Sequence, residues 1–168
     1  MIRLELWTDS DLDLLRLINT PGMRAHVGGA ESPEALLVRH RRYLDFPGQG
    51  VGAMFKVVLA DTGEAVGSVG CVRRRWQGAE VFEMGWNVLP PFQGRGIAVH
   101  AARAGAAWAA GQGAPRRLHA FPSVDNAASN RVCARVGFEL QGECDFEYPP
   151  GRFMRSHDWR LELTGRQD

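Results

Sequence analysis

Two glycines and an arginine stand directly before an alanine-rich segment, in the run QGRGIA at residues 93–98. A glycine turn that leads into a helix exposes unpaired backbone N–H groups at the positive end of the helix dipole, and such groups bind phosphate. Glycine has no Cβ, so a pyrophosphate can approach the main chain, and Arg95 adds a positive charge beside it. The run predicts a phosphate site, although the same residues also fit an ordinary tight turn between a strand and a helix.

Other phosphate-binding motifs do not fit this sequence. A P-loop requires Gly-Lys-Ser/Thr, and the single lysine of the chain, Lys56, follows Phe55. A dinucleotide fingerprint would need glycine or alanine at position 99, which is Val99. The other glycine-rich stretch, residues 48–52, precedes a predicted strand instead of a helix, so a loop is the better interpretation there.

Composition and charge exclude several classes of function. Twenty basic and nineteen acidic residues leave a net charge of +1, so no overall field attracts nucleic acid or an anionic membrane. The run Arg73-Arg74-Arg75 has no interleaved aromatic residues and is interpreted as a solvated hairpin tip. The 168 residues predict a single domain over 1–168, and without an apolar leader or spanning segment we expect a cytoplasmic protein. The three cysteines lack metal-ligand spacing, so no metal site is predicted.

The residue patterns predict seven strands and four helices that position this turn. Strands are expected over residues 2–7, 53–60, 64–73, 79–88, 116–121, 138–147 and 153–163. Helices are expected from Asp9 or Ser10, from Ser32 to a stop at Pro47-Gly48, from Ile97 to Gly111, and from about Asp125 to Gly137. The order is β α α β β β α β α β β. This order predicts an α/β fold of mixed type, a sheet covered by helices, instead of a doubly wound parallel sheet.

Three motifs, which include the glycine turn described above, resemble those of the GNAT superfamily of N-acetyltransferases. The run QGRGIA is similar to the Q/R-x-x-G-x-G/A signature of that family, with Ala98 in place of the last glycine. The segment DNAASNRV at 125–132, followed by VGF at 136–138, resembles the N-x-x-S-x-x-V…GF element. The stretch EMGW at 83–86 resembles the E-I-G-Y/W stretch of the ribosomal-protein N-acetyltransferase branch. The resemblance covers nearly the whole chain.

The resemblance implies a fold, a cosubstrate and a set of binding residues. It implies a mostly antiparallel mixed sheet with a splay between the fourth and fifth strands. It also implies acetyl-CoA as cosubstrate, with the QGRGIA turn around the pyrophosphate and the Val88 backbone paired with the pantetheine. Asn126 would contact the cofactor, and the same residue also fits a helix N-cap. The residues so implied are Val88, Gln93, Gly94, Arg95, Gly96, Ile97, Ala98 and Asn126.

The chemistry implied is the attack of a neutral primary amine on a thioester. An amine with a pKa of about 10.4 is neutral roughly once in 2,500 molecules at pH 7, a penalty of about 4.6 kcal/mol, whereas an α-amino group pays about 1 kcal/mol. Glu83, a carboxylate within an apolar strand, is the first candidate base, and a salt bridge to an arginine is the competing interpretation. Glu147 is the second candidate, and an exposed charge at a strand end fits it equally. His119 and His157 are interpreted as structural or exposed.

The departing thiolate needs a proton or a positive electrostatic environment. Cys133 occupies the position where many family members carry a tyrosine, and its expected role is packing. Ser129 lies one turn nearer the start of the helix and is the candidate to assist the leaving group. The sequence leaves two functions open, an N-acetyltransferase for a protein N-terminus or small amine, and a non-catalytic acyl-CoA-binding module. It also permits a homodimer and leaves the acceptor undefined.

Overall fold

The computed structural model describes residues 1–164 and contains the predicted elements in the predicted order. The strands are β1 Ile2–Leu6, β2 Gly52–Leu59, β3 Ala65–Trp76, β4 Ala79–Val88, β5 Arg117–Ala120, β6 Glu139–Glu147 and β7 Phe153–Glu162. The helices are α1 Leu12–Ile18, α2 Pro33–Gln49, α3 Ile97–Gly111 and α4 Ala127–Val136. Short 3-10 turns occupy Asp9–Asp11 and Pro90–Phe92.

The seven strands form one sheet in the order β1-β2-β3-β4-β5-β7-β6. Every neighbouring pair is antiparallel except β4 and β5, which run parallel. Between these two strands the pairing consists of Phe82 with Leu118 and Glu83 with His119, after which β4 continues to Val88 without β5. The strands therefore separate in the middle of the sheet, and the predicted splay is confirmed.

Two helix ends differ from the sequence-based expectation. The helix α2 passes through Pro47 and ends at Gln49, with Gly50 as its C-cap at a φ of 67°. The end lies there because the left-handed glycine lets its N–H bond back to the Pro47 carbonyl, while a proline in the last turn sacrifices only one helical bond. At the chain start, Asp9–Asp11 form a 3-10 turn and α1 begins at Leu12. The Asp11 carboxylate accepts the Thr8 backbone N–H at 2.7 Å and holds this turn.

The sheet has a different layer on each face. Phe82, Met84 and Val88 of β4 are buried in the core shared with α3. A Cβ added at Gly105 of α3 would lie 2.9 Å from the Met84 Cε, so the helix lies close against the sheet. Glu83 alternates with these residues and points to the opposite face. None of the helices in the described chain is long and apolar enough to cross a membrane.

Candidate active site

The glycine turn opens onto free space at the start of α3. Gly94 and Gly96 both adopt a φ of 76°, and Gly96 is the N-cap residue, with no side chain capping the helix. A Cβ built on Gly94 would meet no atom within 4 Å, and one on Gly96 would reach only the His100 ring at 4.0 Å. The first-turn N–H groups are therefore left for an external acceptor, and the geometry fits an anion such as a pyrophosphate.

The side chains around the turn hold its shape. The Gln93 side-chain amide donates to the Val88 carbonyl oxygen at 2.8 Å, which fastens the turn to the end of β4. The exposed Arg95 donates to the Pro91 carbonyl at 3.1 Å and lies over the Phe92 ring. Ile97 is buried in the core, so its side chain fixes the helix start while its backbone lies in the first turn. Ala98 is half-buried behind it.

Beyond Glu83, the backbone edge of β4 that faces β5 has no paired strand within the described residues. In an antiparallel pair each residue directs both backbone groups toward the same neighbouring strand, and consecutive residues alternate. The Leu89 N–H donates to the Val66 carbonyl at 2.8 Å, so alternate residues back along β4 face β3. The backbone N–H and C=O groups of Met84, Trp86 and Val88 consequently point toward the side where β5 has separated from β4. This edge can pair with an extended ligand, as the resemblance implies for the pantetheine.

The start of α4 carries the second predicted group of residues. Asn126 is the N-cap, and its Oδ1 accepts the Ser129 backbone N–H at 3.1 Å. The N-cap interpretation of Asn126 is thus confirmed, and it leaves the contact with the cofactor a proposal. The half-buried Ser129 hydroxyl has no hydrogen-bond partner within residues 1–164. Cys133 is fully buried, and burial raises the pKa of its thiol to about 12, which makes it a poor proton donor at neutral pH.

Glu83 lies on the face opposite α3, beside the first residue of the splay. Its Oε2 is 3.1 Å from the Arg74 Nη1, so the salt bridge that competes with the base interpretation is present. Burial raises the pKa of Glu83, while the charges of Arg74 and Arg42 oppose that rise. A carboxylate with a raised pKa is a stronger base than a free one, and the pairing with Arg74 favours its ionised form.

The Arg74 side chain corrects one sequence-based expectation. The three arginines 73–75 were predicted as a solvated hairpin tip, but Arg74 is half-buried and stacks 4.3 Å from the Phe146 ring centroid. Arg73 is half-buried as well and lies over the Phe82 ring, so the prediction was wrong for both residues. The reason is that β3 runs to Trp76 and extends past the point where a tip was expected. The Arg74 guanidinium thus belongs to the candidate site.

Glu147 lies at the far edge of the sheet, at the end of β6. The strands β5 and β7 separate β6 from the Glu83 strand. Its Oε1 accepts the Gly151 N–H at 2.7 Å, a bond that closes the β6–β7 turn. This turn packs against the α1–α2 connection, where Gly28 lies against Pro149. The structure therefore gives Glu147 a role in the turn and does not bring it beside Glu83.

The structure shows two polar clusters that the sequence analysis did not predict, one around Asp158 and one around Asn130. His119, in register with Glu83, is buried, and its Nδ1 lies 2.6 Å from the Asp158 Oδ1. The other Asp158 oxygen accepts the Trp76 Nε1–H at 3.0 Å. Asn130 of α4 accepts from the Trp159 Nε1 at 2.8 Å and bonds the His157 Nδ1 at 2.7 Å. For His119, the alternation within its strand was the available signal in the sequence. The contacts of His119 and Asn130 with β7 leave no local sequence pattern, because β7 is distant along the chain.

Comparison with known proteins decides the family. A family model described as the acetyltransferase (GNAT) domain matches residues 2–139. This chain belongs to the GNAT acetyltransferase family. A search of curated proteins gives no match. Solved structures supply the fold comparisons for this GNAT acetyltransferase.

The ribosomal-protein-S5-alanine acetyltransferase from Vibrio fischeri has a TM-score of 0.78 at 19% identity, covering 96% of this chain and 93% of that one. A Salmonella typhimurium acetyltransferase, which modifies the N-terminal serine of ribosomal protein L7/L12, has a TM-score of 0.78 at 20% identity, covering 97% and 95%. The aminoglycoside acetyltransferase AAC(6')-Ib with bound coenzyme A has a TM-score of 0.78 at 18% identity, covering 96% and 95%. At these identities the likeness shows the fold alone.

Proposed function

We propose that this GNAT acetyltransferase moves an acetyl group from acetyl-CoA to a primary amine, by direct transfer within a ternary complex. The observation that supports this most is the open, uncapped first turn of α3 at Gly96, next to the unpaired edge of β4. A phosphate cradle and a backbone edge along one cleft fit a ligand that carries a pyrophosphate followed by an extended chain. Both are provided by this chain's own residues.

The cosubstrate is held by two kinds of group in this proposal. The backbone of residues 93–98 binds the pyrophosphate, with Arg95 adding charge and Gln93 keeping the turn against β4. The backbone of Val88 and its neighbours along β4 pairs with the pantetheine, and Asn126 lies at the start of α4 across the splay. Acetyl-CoA supplies an activated acetyl thioester and so a good leaving group.

Glu83 is the proposed base for the amine. The acceptor arrives mainly as an ammonium and must lose a proton before it attacks. Glu83 has a carboxylate of raised pKa at the point where the strands part. Glu147 is the second candidate, and the turn bond to Gly151 makes it the weaker one.

Ser129 is the proposed partner of the leaving thiolate. It lies in the first turn of α4, where the helix dipole stabilises negative charge. Its hydroxyl is half-buried and unpaired within the described residues, so it is available to donate. The buried Cys133, with a pKa of about 12, is assigned to packing.

Two classes of acceptor are supported by the comparisons. Relatives of the same fold modify the N-terminal serine of a ribosomal protein or an aminoglycoside. An α-amino group needs only a weak base because it is already partly neutral at pH 7. A peptide N-terminus is therefore the first acceptor class to test, with small-molecule amines as the second.

The test measures coenzyme A release from acetyl-CoA with and without added amine. The panel contains peptides that begin with serine or alanine, an aminoglycoside and a polyamine, and Gly96→Asp serves as the control protein. We expect release that depends on one class of amine and is lost in the control. Tight coenzyme A binding without release on any amine would favour the non-catalytic acyl-CoA-binding module.

A further inference from the structure

A buried histidine–aspartate pair connects the neighbouring strands β5 and β7 where the splay begins. His119 of β5 and Asp158 of β7 are 5% and 4% exposed, and their Nδ1 and Oδ1 atoms lie 2.6 Å apart. Trp76 of β3 donates its Nε1–H to the second Asp158 oxygen at 3.0 Å. Asp158 thus holds the imidazole ring, and Trp76 in turn holds Asp158.

The pair occupies the last register position before the strands part. His119 lies directly beside Glu83 in the parallel pairing of β4 and β5. Residues opposite one another in paired strands point to the same face, so both side chains lie on the face away from α3. The imidazole is consequently a neighbour of the proposed base.

One nitrogen of the ring is committed and the other is free. Asp158 engages Nδ1, and a carboxylate at that position favours the tautomer in which Nδ1 carries the proton. Nε2 then holds the lone pair. Within residues 1–164 this nitrogen has no hydrogen-bond partner, and it keeps some contact with solvent. Such an atom can accept a proton directly or through one water.

The charged and titratable groups around the ring come from four strands. They are Arg74 of β3, Glu83 of β4, Cys144 of β6, and Asp158 and Arg160 of β7. Glu83 is already paired with Arg74, and Arg160 bonds Glu162 at 3.3 Å. The Asp158 carboxylate is therefore the anion in contact with the imidazole.

We propose that His119, held by Asp158 as a positioning residue, is a second proton acceptor for the amine beside Glu83. This inference rests on the proposed acetyl transfer. The ammonium gives one proton to the Glu83–His119 pair, and this proton later passes to solvent. The amine nitrogen then bonds the acetyl carbon and the carbon–sulfur bond breaks. The nitrogen gives up a second proton and the thiolate gains one, so an amide, a thiol and one released proton result.

Substitutions at both acceptors test the proposal through the pH dependence of kcat/KM. His119→Asn keeps an N–H donor for Asp158 and removes the basic nitrogen. We expect His119→Asn to lose about tenfold near pH 8, and the double variant with Glu83→Gln to lose about 10²- to 10⁴-fold, the range of general base catalysis. Coenzyme A affinity by calorimetry and the melting temperature should stay close to those of the parent protein.

Asp158→Asn supplies the readout for the positioning role. An amide at position 158 can donate as well as accept, so the Nδ1–H tautomer should no longer be favoured and kcat/KM should fall toward that of His119→Asn. Trp76→Phe removes one hydrogen bond to Asp158 and should change the tautomer ratio and kcat/KM less. A His119→Asn protein with the parent profile, and a double variant no slower than Glu83→Gln, would overturn the proposal.

The tautomer of His119 gives a test that needs no acceptor. In the full chain, ¹⁵N-resolved NMR of the imidazole should show a protonated Nδ1 and an unprotonated Nε2 at pH 8. A protonated Nε2 would overturn the inference even if the variants fail to fold. If no amine releases coenzyme A, the proposed function fails at that step, whereas amine-dependent release that is indifferent to His119→Asn rejects only this inference.

Discussion

The Gln93 side chain donates to the Val88 carbonyl oxygen at 2.8 Å and so connects the glycine turn to the end of the splayed strand. The two parts of the proposed coenzyme A site are thereby fixed relative to one another. A change in the turn should affect cofactor binding without disturbing the core, because the turn residues Gly94 and Arg95 are exposed.

Gly96→Asp should abolish coenzyme A binding, because the side chain adds bulk and a negative charge where a pyrophosphate is expected. Gly63→Asp is a matched control, since Gly63 also has a positive φ, 75°, and its Cβ would also meet open space. Arg95→Ala should weaken binding by about two- to fivefold, the scale of an exposed ion pair. Calorimetry on the folded proteins measures each affinity. Unchanged binding by Gly96→Asp would contradict the loop assignment.

Glu83→Gln should lower turnover mostly at low pH, where neutral amine is scarce, and less above pH 9. Arg74→Gln removes the cation that opposes the raised pKa of Glu83, so that pKa should rise further and the acid limb should move to higher pH. Arg75→Gln, at an exposed neighbour, is the control. The measurement is a pH profile of kcat/KM. A loss that is uniform across pH would indicate substrate positioning instead of proton transfer.

Ser129→Ala should lower kcat by about ten- to a thousandfold with little change in acetyl-CoA affinity. Cys133→Ala should instead cost about 1 kcal/mol of unfolding free energy, because it leaves a small cavity in the core. Steady-state kinetics and urea unfolding separate the two effects. The assignments would be reversed if Cys133→Ala abolished turnover and Ser129→Ala did not.

Asn130→Ala should destabilise the protein by about 3 kcal/mol, because it removes two bonds that Nδ2 donates to backbone carbonyls and two bonds that Oδ1 accepts from His157 and Trp159. Asn126→Ala, the loss of a helix N-cap, should cost about 1 kcal/mol. Urea unfolding of both variants checks the difference. Equal losses of unfolding free energy in the two variants would show that the hydrogen bonds from Asn130 of α4 to β7 add little stability.

Glu147→Gln should leave kcat/KM within about threefold of the parent value, because Glu147 closes the β6–β7 turn and a neutral oxygen can still accept the Gly151 N–H. The pH profile should also be unchanged. A selective loss at low pH would return Glu147 to the role of base. The same kinetic assay as for Glu83→Gln makes the comparison direct.

Local signals in the sequence determined the helices, the strands and the glycine turn before α3. Alternation and helical spacing are properties of consecutive residues, so the strands, the helices and the turn before α3 could be predicted. A left-handed conformation at Gly94 and Gly96 needs glycine for a local steric reason, and the structure shows it at both. The end of α2 was predicted too early, at Pro47-Gly48, because the last turn of a helix tolerates a proline.

The surroundings of the proposed base depended on contacts between strands that are distant in sequence. Arg74 meets Glu83 across a hairpin, and Asp158 meets His119 from a strand 39 residues further along the chain. The register of the sheet decides which carboxylate faces an arginine and which faces an imidazole, and no run of neighbouring residues encodes that choice. The sequence by itself therefore determined the family, the fold and the glycine turn before α3. Only the tertiary structure decided the environment of Glu83, His119 and Glu147, because burial and charge pairing arise when separate strands meet.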